Sequence, residues 1–525
     1  MSLIQALLNP AAYPHTVTQI ELIETHISWV LLTGQYAYKI KKNVQFDFLD
    51  FSTLDKRNFY CQEELRFNSR FAPDLYLQVV PITGTAQHPH MNGSGEAIEY
   101  AVQMQQFDGS QLLSHIADRG ELSPAIIDQL AELTAEFHRH AASDTSNSHF
   151  GMPQETHHWF QGNFAHIRPL INNERFLQQI LQLEQWGEQA LLKNKRLMEL
   201  RKQQGFIREC HGDLHLGNIT LIDSTVTPFD GIEFNPDLHW IDVISEIAFV
   251  VMDLQHRGFN QLAHRFLNRY LSASGDYEGL ALLPYYLVYR ALVRCKVALL
   301  RWEQHRNPQD LEEAESYANL AENYSQPKPN QLFITHGYSG SGKSTFSAQI
   351  AESVGIENLG IIHLRSDIER KRLIYKTEQG QSQKSSGNEV NQGLYTQDNV
   401  LLVYRRLAEL ASSLLDAGFS VLIDAAFLQS KQRELFAELA AEKQVDFVIL
   451  DFCAPEQELK RRISERQQSG NDASEATLAV LEHQLKTAQV FSATELGKVI
   501  QIDTCATNAL NKLLQSSLSG MTSRN

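Results

Sequence analysis

The spacing of apolar positions divides the chain into two regimes. In the first, "HISWVLLTGQYAYKIKK" (26–42) reads as two short strands about a Thr-Gly turn, and "STLDKRNFYCQEELRFNSRF" (52–71) as a capped amphipathic helix. "IREC", "NITLID" and "TVTPFD" are short strands between 207 and 230, while most of 109–200 and 235–320 has helical periodicity. Strands first and helices afterwards predict a small sheet-rich lobe followed by a larger helical one. In the second regime strand and helix patterns alternate: "LFITHGY", "STFSAQIAESV", "IIHLRSD", "LLVYRRLAELASSLLDAG", "SVLIDAA", "LFAELAAEK", "VDFVILDF". This alternation predicts a parallel sheet covered by helices. Between the regimes, "ENYSQPKPNQ" (322–331) is polar and proline-containing, which places a linker there. The expected domains are 1–325 and 329–518, and no internal repeat relates them.

Composition changes this picture little. A chain of 525 residues is too long for one ordinary core, and 43% apolar with 21% charged residues is a globular balance. Five cysteines without CxxC spacing fit a reducing compartment and argue against a disulfide framework or a zinc site. The N-terminus lacks a signal-peptide pattern and no apolar run approaches a membrane span, so the expected location is cytoplasmic, with no membrane partner. The net charge of −16 is uneven: from Lys328 onward 21 basic residues face 23 acidic ones, leaving −14 for the first part. An acidic first part repels a phosphate backbone, so nucleic acid is not an expected partner, save for ends bound by the second domain.

Chemistry concentrates at "HGDLHLGN" (211–218). Asp213 is followed five positions later by Asn218, and Asp230 ends the strand pair that comes next. Phosphoryl transfer from ATP needs such a set: a carboxylate to orient and deprotonate the attacking hydroxyl, and an amide and a carboxylate to hold magnesium. "HGDLHLGNI" followed by "FDGIEF" resembles the catalytic segment of the aminoglycoside phosphotransferase family, which shares the protein-kinase fold. The resemblance implies an α+β, two-lobed domain with Asp213 as base, Asn218 and Asp230 as magnesium ligands, and His211 as a buttress of the loop. His215, where protein kinases usually carry lysine, buttresses the loop or faces substrate. In "AYKIKK", Ala37 and Lys39 match the Ala-x-Lys of a kinase β3 strand, and Glu64, in preference to Glu63, is the expected partner of Lys39. No glycine-rich loop precedes Lys39; only Thr33-Gly34 stands there. The resemblance is strong over 206–250, weaker over 25–85, and over 86–200 amounts to helical character. In "YRALVRCKV", Arg290 and Arg294 share a helix face, to be solvated or salt-bridged, or else to contact an anionic substrate or the acidic catalytic lobe.

A second cluster, "GYSGSGKS" (337–344), fits GxxxxGK[ST] between a predicted strand and a predicted helix. Backbone amides over Gly337, Ser339, Gly340, Ser341, Gly342 and Thr345 would cradle phosphates, Lys343 would reach the terminal ones, and Ser344 would ligate magnesium. Asp424, ending an apolar strand, reads as the carboxylate that completes the magnesium site. "LKRRISERQQSG" offers Arg462 and Arg466 as a lid pair, with Arg461 a surface alternative. The arrangement resembles small P-loop kinases, of the polynucleotide-kinase, zeta-toxin and gluconate-kinase types. That resemblance makes Asp367 the base and Arg370 the orienting arginine. The polar stretch 380–393 reads as a substrate loop or an insert.

The sequence therefore predicts two kinase domains, each using ATP and Mg2+ to phosphorylate a small-molecule hydroxyl, and assigns no oligomeric state. A second reading, resting on the missing glycine-rich loop, makes the first domain a nucleotide-sensing scaffold. The P-loop kinase would then act on a sugar, nucleotide or nucleic-acid 5′ hydroxyl.

Overall fold

A computed structural model describes residues 2–46, 49–353, 360–380, 397–469, 477–507 and 509. The chain divides into two compact units, Met1–Arg257 with Tyr285–Glu322, and Gly258–Pro284 with Asn323–Asn525. The segment 258–284, upstream of the expected linker, is thus grouped with the P-loop.

The first unit opens with a six-stranded antiparallel sheet. Its strands are β1 (Glu21–Glu24), β2 (Ser28–Leu32), β3 (Tyr36–Lys41), β6 (Tyr76–Thr85), β7 (His88–Met91) and β8 (Ala97–Gln105), in the order β1-β2-β3-β8-β6-β7. A minor pair, β4 (Gln45–Phe46) and β5 (Leu49–Asp50), follows β3. Two expectations are corrected here. Helical character does not begin at 86, because "AIEYAVQMQ" forms β8, the neighbour of β3. Thr33-Gly34 does not stand in for a nucleotide-covering loop, because it joins β2 to β3. The hairpin turn nearest Lys41 is instead Thr25–Ile27 between β1 and β2, where Ser28 pairs with Lys41 in register.

The helix Leu54–Asn68 begins where the Thr53 side chain accepts the Lys56 amide, and buries Cys61, Glu64, Phe67 and Asn68 against the sheet. The helical part follows, with Pro124–His140, Pro153–Ile167, Glu174–Gln203, Val243–His256, Leu283–His305 and Pro308–Ser325 as its long members. Between them lie two short antiparallel pairs. β9 (Ile207–Glu209) pairs with β12 (Trp240–Asp242), and β10 (Ile219–Ile222) with β11 (Thr225–Pro228).

The second unit is built on a five-stranded parallel sheet: β13 (Gln331–His336), β14 (Ile361–Arg365), β15 (Ser420–Asp424), β16 (Asp446–Cys453) and β17 (Val499–Asp503), in the order β14-β15-β13-β16-β17. Residues such as Phe333, Leu422, Val448, Leu450 and Phe452 are fully buried, the near-continuous apolar run expected of strands covered on both faces. β13 sits between β15 and β16, so the loop leaving its C-terminal end stands at the switch of strand order, where parallel sheets bind ligands. The helix Asn260–Ser274 covers the β14 edge: Asn268 donates to the Ile361 carbonyl at 2.9 Å and accepts the His363 amide at 2.8 Å.

Candidate active sites

In the first unit the segment "CHGDLHLGN" is pinned through its own backbone. The amides of His211 and Gly212 donate to the buried Glu246 carboxylate at 2.5 and 2.9 Å, and the Leu216 amide donates to Asp253 at 2.9 Å. Arg290 donates to the Gly212 carbonyl at 3.0 Å and to the Ser245 carbonyl at 3.1 Å. Burial is the main cause holding Glu246 at about 7, against the two amides and Arg290. Gly212 lies at φ +86°, and a Cβ there would stand 2.7 Å from the Leu238 carbonyl oxygen, so only glycine fits. His211 is fully buried; its Nδ1 accepts the Asp213 amide and its Nε2 donates to the Phe229 carbonyl at 2.9 Å. One nitrogen accepting and the other donating is the neutral imidazole, and burial keeps it neutral down to about 4.

Asp213 Oδ2 accepts from Asn218 Nδ2 at 2.9 Å and lies 3.5 Å from His215 Nε2. His215 Nδ1 accepts the Gly217 amide at 3.0 Å, so the ring both braces the loop and faces Asp213. Burial disfavours the Asp213 charge, but His215, Arg294 and His211 together hold the carboxyl well below the usual range. Asn218 Nδ2 is committed to Asp213, which leaves its Oδ1 without a hydrogen bond among the described residues.

The return strand brings the third oxygen group. The Phe229 amide donates to the Asn218 carbonyl, the Ile232 amide to the His211 carbonyl, and the Asp230 amide to the Tyr76 hydroxyl at 3.0 Å. Asp230 itself sits at φ +60°, a left-handed conformation uncommon outside glycine, which aspartate tolerates better than most residues. Its carboxylate is ion-paired with Lys39, whose Nζ also lies 2.7 Å from Glu64. Burial opposes the charge on Lys39, yet Asp230, Glu64 and Glu233 raise it well above the ordinary lysine value. Glu63 pairs with Arg66 at the surface instead.

The sequence motifs assign no role to four groups of the site: Lys41, Glu233, Glu246 and Asp253. Lys41 was open to discovery, since it shares the Lys39 face of a strand with period two. The carboxylates had no local signal. Arg290 is 4% exposed and donates to the Gly212 carbonyl, so of the expected contacts it makes the one to the catalytic segment. Arg294 donates to the Tyr317 hydroxyl at 3.4 Å.

In the second unit Gly337 (φ +144°) passes so close to β16 that a Cβ would meet the Phe452 carbonyl oxygen at 2.6 Å. Lys343 donates to the Gly337 and Tyr338 carbonyls at 2.9 Å each. Its pKa is lowered, by burial first, with Arg466 acting in the same direction and Asp424 and Asp367 opposing. Asp424 is buried, hydrogen-bonded by Ser344, and 3.5 Å from His363 Nε2. Those contacts outweigh its burial and lower its pKa. Asp367 accepts from Arg370 at 2.6 Å, and burial raises its pKa despite that arginine.

The cradle is partly engaged already. The Ser339 amide donates to the Gln484 side chain at 2.9 Å and the Ser341 amide to the Tyr338 carbonyl at 3.1 Å, while Thr345 is exposed. The expected lid pair separates. Arg462 is held by Glu458 and donates to the Gly340 carbonyl at 3.3 Å and to Thr504 at 3.0 Å, so it braces the loop from below. Arg466 is the member whose charge reaches Lys343, and Arg461 pairs with Glu458 and Glu465 at the surface. The stretch 380–393 falls outside the described residues but for Gly380.

Comparison with known proteins finds one family match on each side of 322–331, the first running through 258–283, the segment grouped above with the P-loop. Residues 61–283 match the Phosphotransferase enzyme family, and residues 332–491 match the AAA domain family. An uncharacterized protein of Mycobacterium tuberculosis is 29% identical over 474 residues, covering 89% of this chain and 91% of its own. A solved choline/ethanolamine kinase family protein from Mesorhizobium loti is 11% identical with a TM-score of 0.38, covering 62% of this chain and 99% of its own. A gluconokinase from Sinorhizobium meliloti is 19% identical with a TM-score of 0.26, covering 37% of this chain and 93% of its own. One polypeptide thus joins a domain that matches the Phosphotransferase enzyme family to a P-loop domain, built on a parallel sheet, that matches the AAA domain family.

Proposed function

We propose that each unit transfers the γ-phosphoryl group of ATP to a hydroxyl of a small molecule. The observation that carries this reading is the meeting of Asp213, Asn218 and Asp230 with the Lys39–Glu64 pair, four separate stretches of sequence converging on one site. The acceptor hydroxyl would donate to Asp213, whose lowered pKa suits it to orienting the nucleophile; as the acceptor oxygen bonds the γ-phosphorus, the bond from that phosphorus to the bridging oxygen breaks, ADP leaves, and the proton passes to Asp213. Asn218 Oδ1 and the Asp230 carboxylate are hard oxygen donors that fit magnesium, and in the second unit Ser344 and Asp424 do the same. When bound, that ion neutralises charge on the phosphates. Lys39 and Lys343 would turn from their present partners to the phosphate oxygens. Asp367, with its raised pKa, would accept the proton of the second acceptor, Arg370 would orient it, and Arg466 would offset charge on the transferred group.

One observation favours the alternative in which the first unit only senses nucleotide: the Thr25–Ile27 turn between β1 and β2 is short, holds no glycine, and is closed by Thr25 on Ser28. The deciding measurement is product profiling of the purified full chain with ATP and a metabolite extract, with a parallel arm of 5′-hydroxyl oligonucleotides. Asp213→Asn should cut one phosphorylated product at least about 100-fold, and Lys343→Ala a different one. A first unit that binds Mg-ATP while Asp213→Asn changes no product would leave the sensing role standing.

A further inference from the structure

β3 buries a second lysine, and nothing in the phosphoryl-transfer scheme above uses it. Lys41 is 1% exposed; its Nζ lies 2.7 Å from Glu64 Oε2 and 2.5 Å from Glu233 Oε1. Glu64 therefore divides its two oxygens between two lysines, Oε1 to Lys39 and Oε2 to Lys41. Glu233 follows Asp230 by three residues, so the same short segment supplies a partner to each lysine. The network holds two cations against three carboxylates, within side chains that are almost wholly buried apart from Asp230.

This arrangement solves a problem of charge. If Lys39 turns to phosphate and Asp230 to metal, as the proposed function requires, a Glu64 with no other partner would be left as a buried unpaired anion, which is strongly unfavourable. Lys41 supplies that partner, and Glu233 in turn offsets the charge of Lys41. We infer that Lys41 and Glu233 form a positioning pair that keeps Glu64 in place and leaves Lys39 free to exchange between Asp230 and the nucleotide. Burial, joined by Glu64, raises the Glu233 carboxyl, and Lys41 opposes that rise. The inference rests on the reading of the first unit as a nucleotide-binding kinase site.

The test uses the full chain with Lys343→Ala to silence the P-loop. Lys41→Met keeps the length of the side chain and removes its charge, so Glu64 and Glu233 both draw on Lys39. Turnover of the first-unit product should fall at least tenfold, with binding of a non-hydrolysable ATP analogue weakened by a similar factor. Adding Glu233→Gln to Lys41→Met removes one of the two anions then drawing on Lys39 and should recover part of both losses, the remainder reflecting a Glu64 that still lacks its second cation. Thermal melting of each variant corrects for unfolded protein. A purely structural role predicts that the double variant is no better than the single one; that result, or a Lys41→Met protein with ordinary turnover and analogue binding, overturns the pair. Should Asp213→Asn prove to have no effect on product, the catalytic reading fails on its own, and analogue binding still judges Lys41.

Discussion

At the scale of single residues, the first site depends on backbone conformations that few side chains tolerate. Gly212 (φ +86°) lets the chain turn between the His211 buttress and Asp213, and Asp230 is held at φ +60° by the Tyr76 hydroxyl and its flanking backbone bonds. Gly212→Ala would add about 1–2 kcal/mol for the left-handed conformation alone, besides the clash with Leu238. We expect loss of the first-unit product with the second-unit product unchanged, read from one assay of the same protein. The roles of Asp213, Asn218 and Asp230 could be argued from the sequence because their spacing matches a mechanism. Glu246 could not, because a lone glutamate in the apolar helix Val243–His256 gives no hint that two backbone amides thirty-odd residues upstream will point at it.

Among elements, patterning located most strands but misjudged two kinds. β6 and β8, "YLQVVPITGT" and "AIEYAVQMQ", went unread because nothing chemical marked them, though β8 is the strand that flanks Lys39 on the side away from β2. The covering of β14 was invisible for a different reason. Asn268 lies on a helix some 90 residues earlier, and its amide completes the open edge of the parallel sheet as another strand would. Asn268→Ala removes two hydrogen bonds to buried backbone groups and should cost about 1–3 kcal/mol. Hydrogen exchange at the His363 amide should rise accordingly, while exchange at β16 is unchanged.

At the scale of the whole molecule, acidification tests the packing of the first unit. His138, His211 and His239 are buried, and burial first of all holds them neutral to about 3, 4 and 4. The unfolded chain protonates them near 6.5. A base whose folded pKa is depressed stabilises the fold above the unfolded value and loses that contribution as pH falls toward the folded one. Between pH 7 and pH 5 each histidine should therefore withdraw about 2 kcal/mol, lowering the first-unit melting transition, and His239→Gln should recover about that amount at pH 5. Sequence by itself determined the two motif segments, the parallel sheet after 331 and the helix that carries Glu64, because motif spacing and hydrophobic period are local properties that need no knowledge of neighbours. Tertiary structure alone decided that Glu64 is shared by two lysines, that Arg462 braces the P-loop while the charge of Arg466 acts on Lys343, and that 258–284 groups with the second unit. Those outcomes depend on which buried charges meet across the fold, and burial makes each pairing obligatory only once the chain has closed around it.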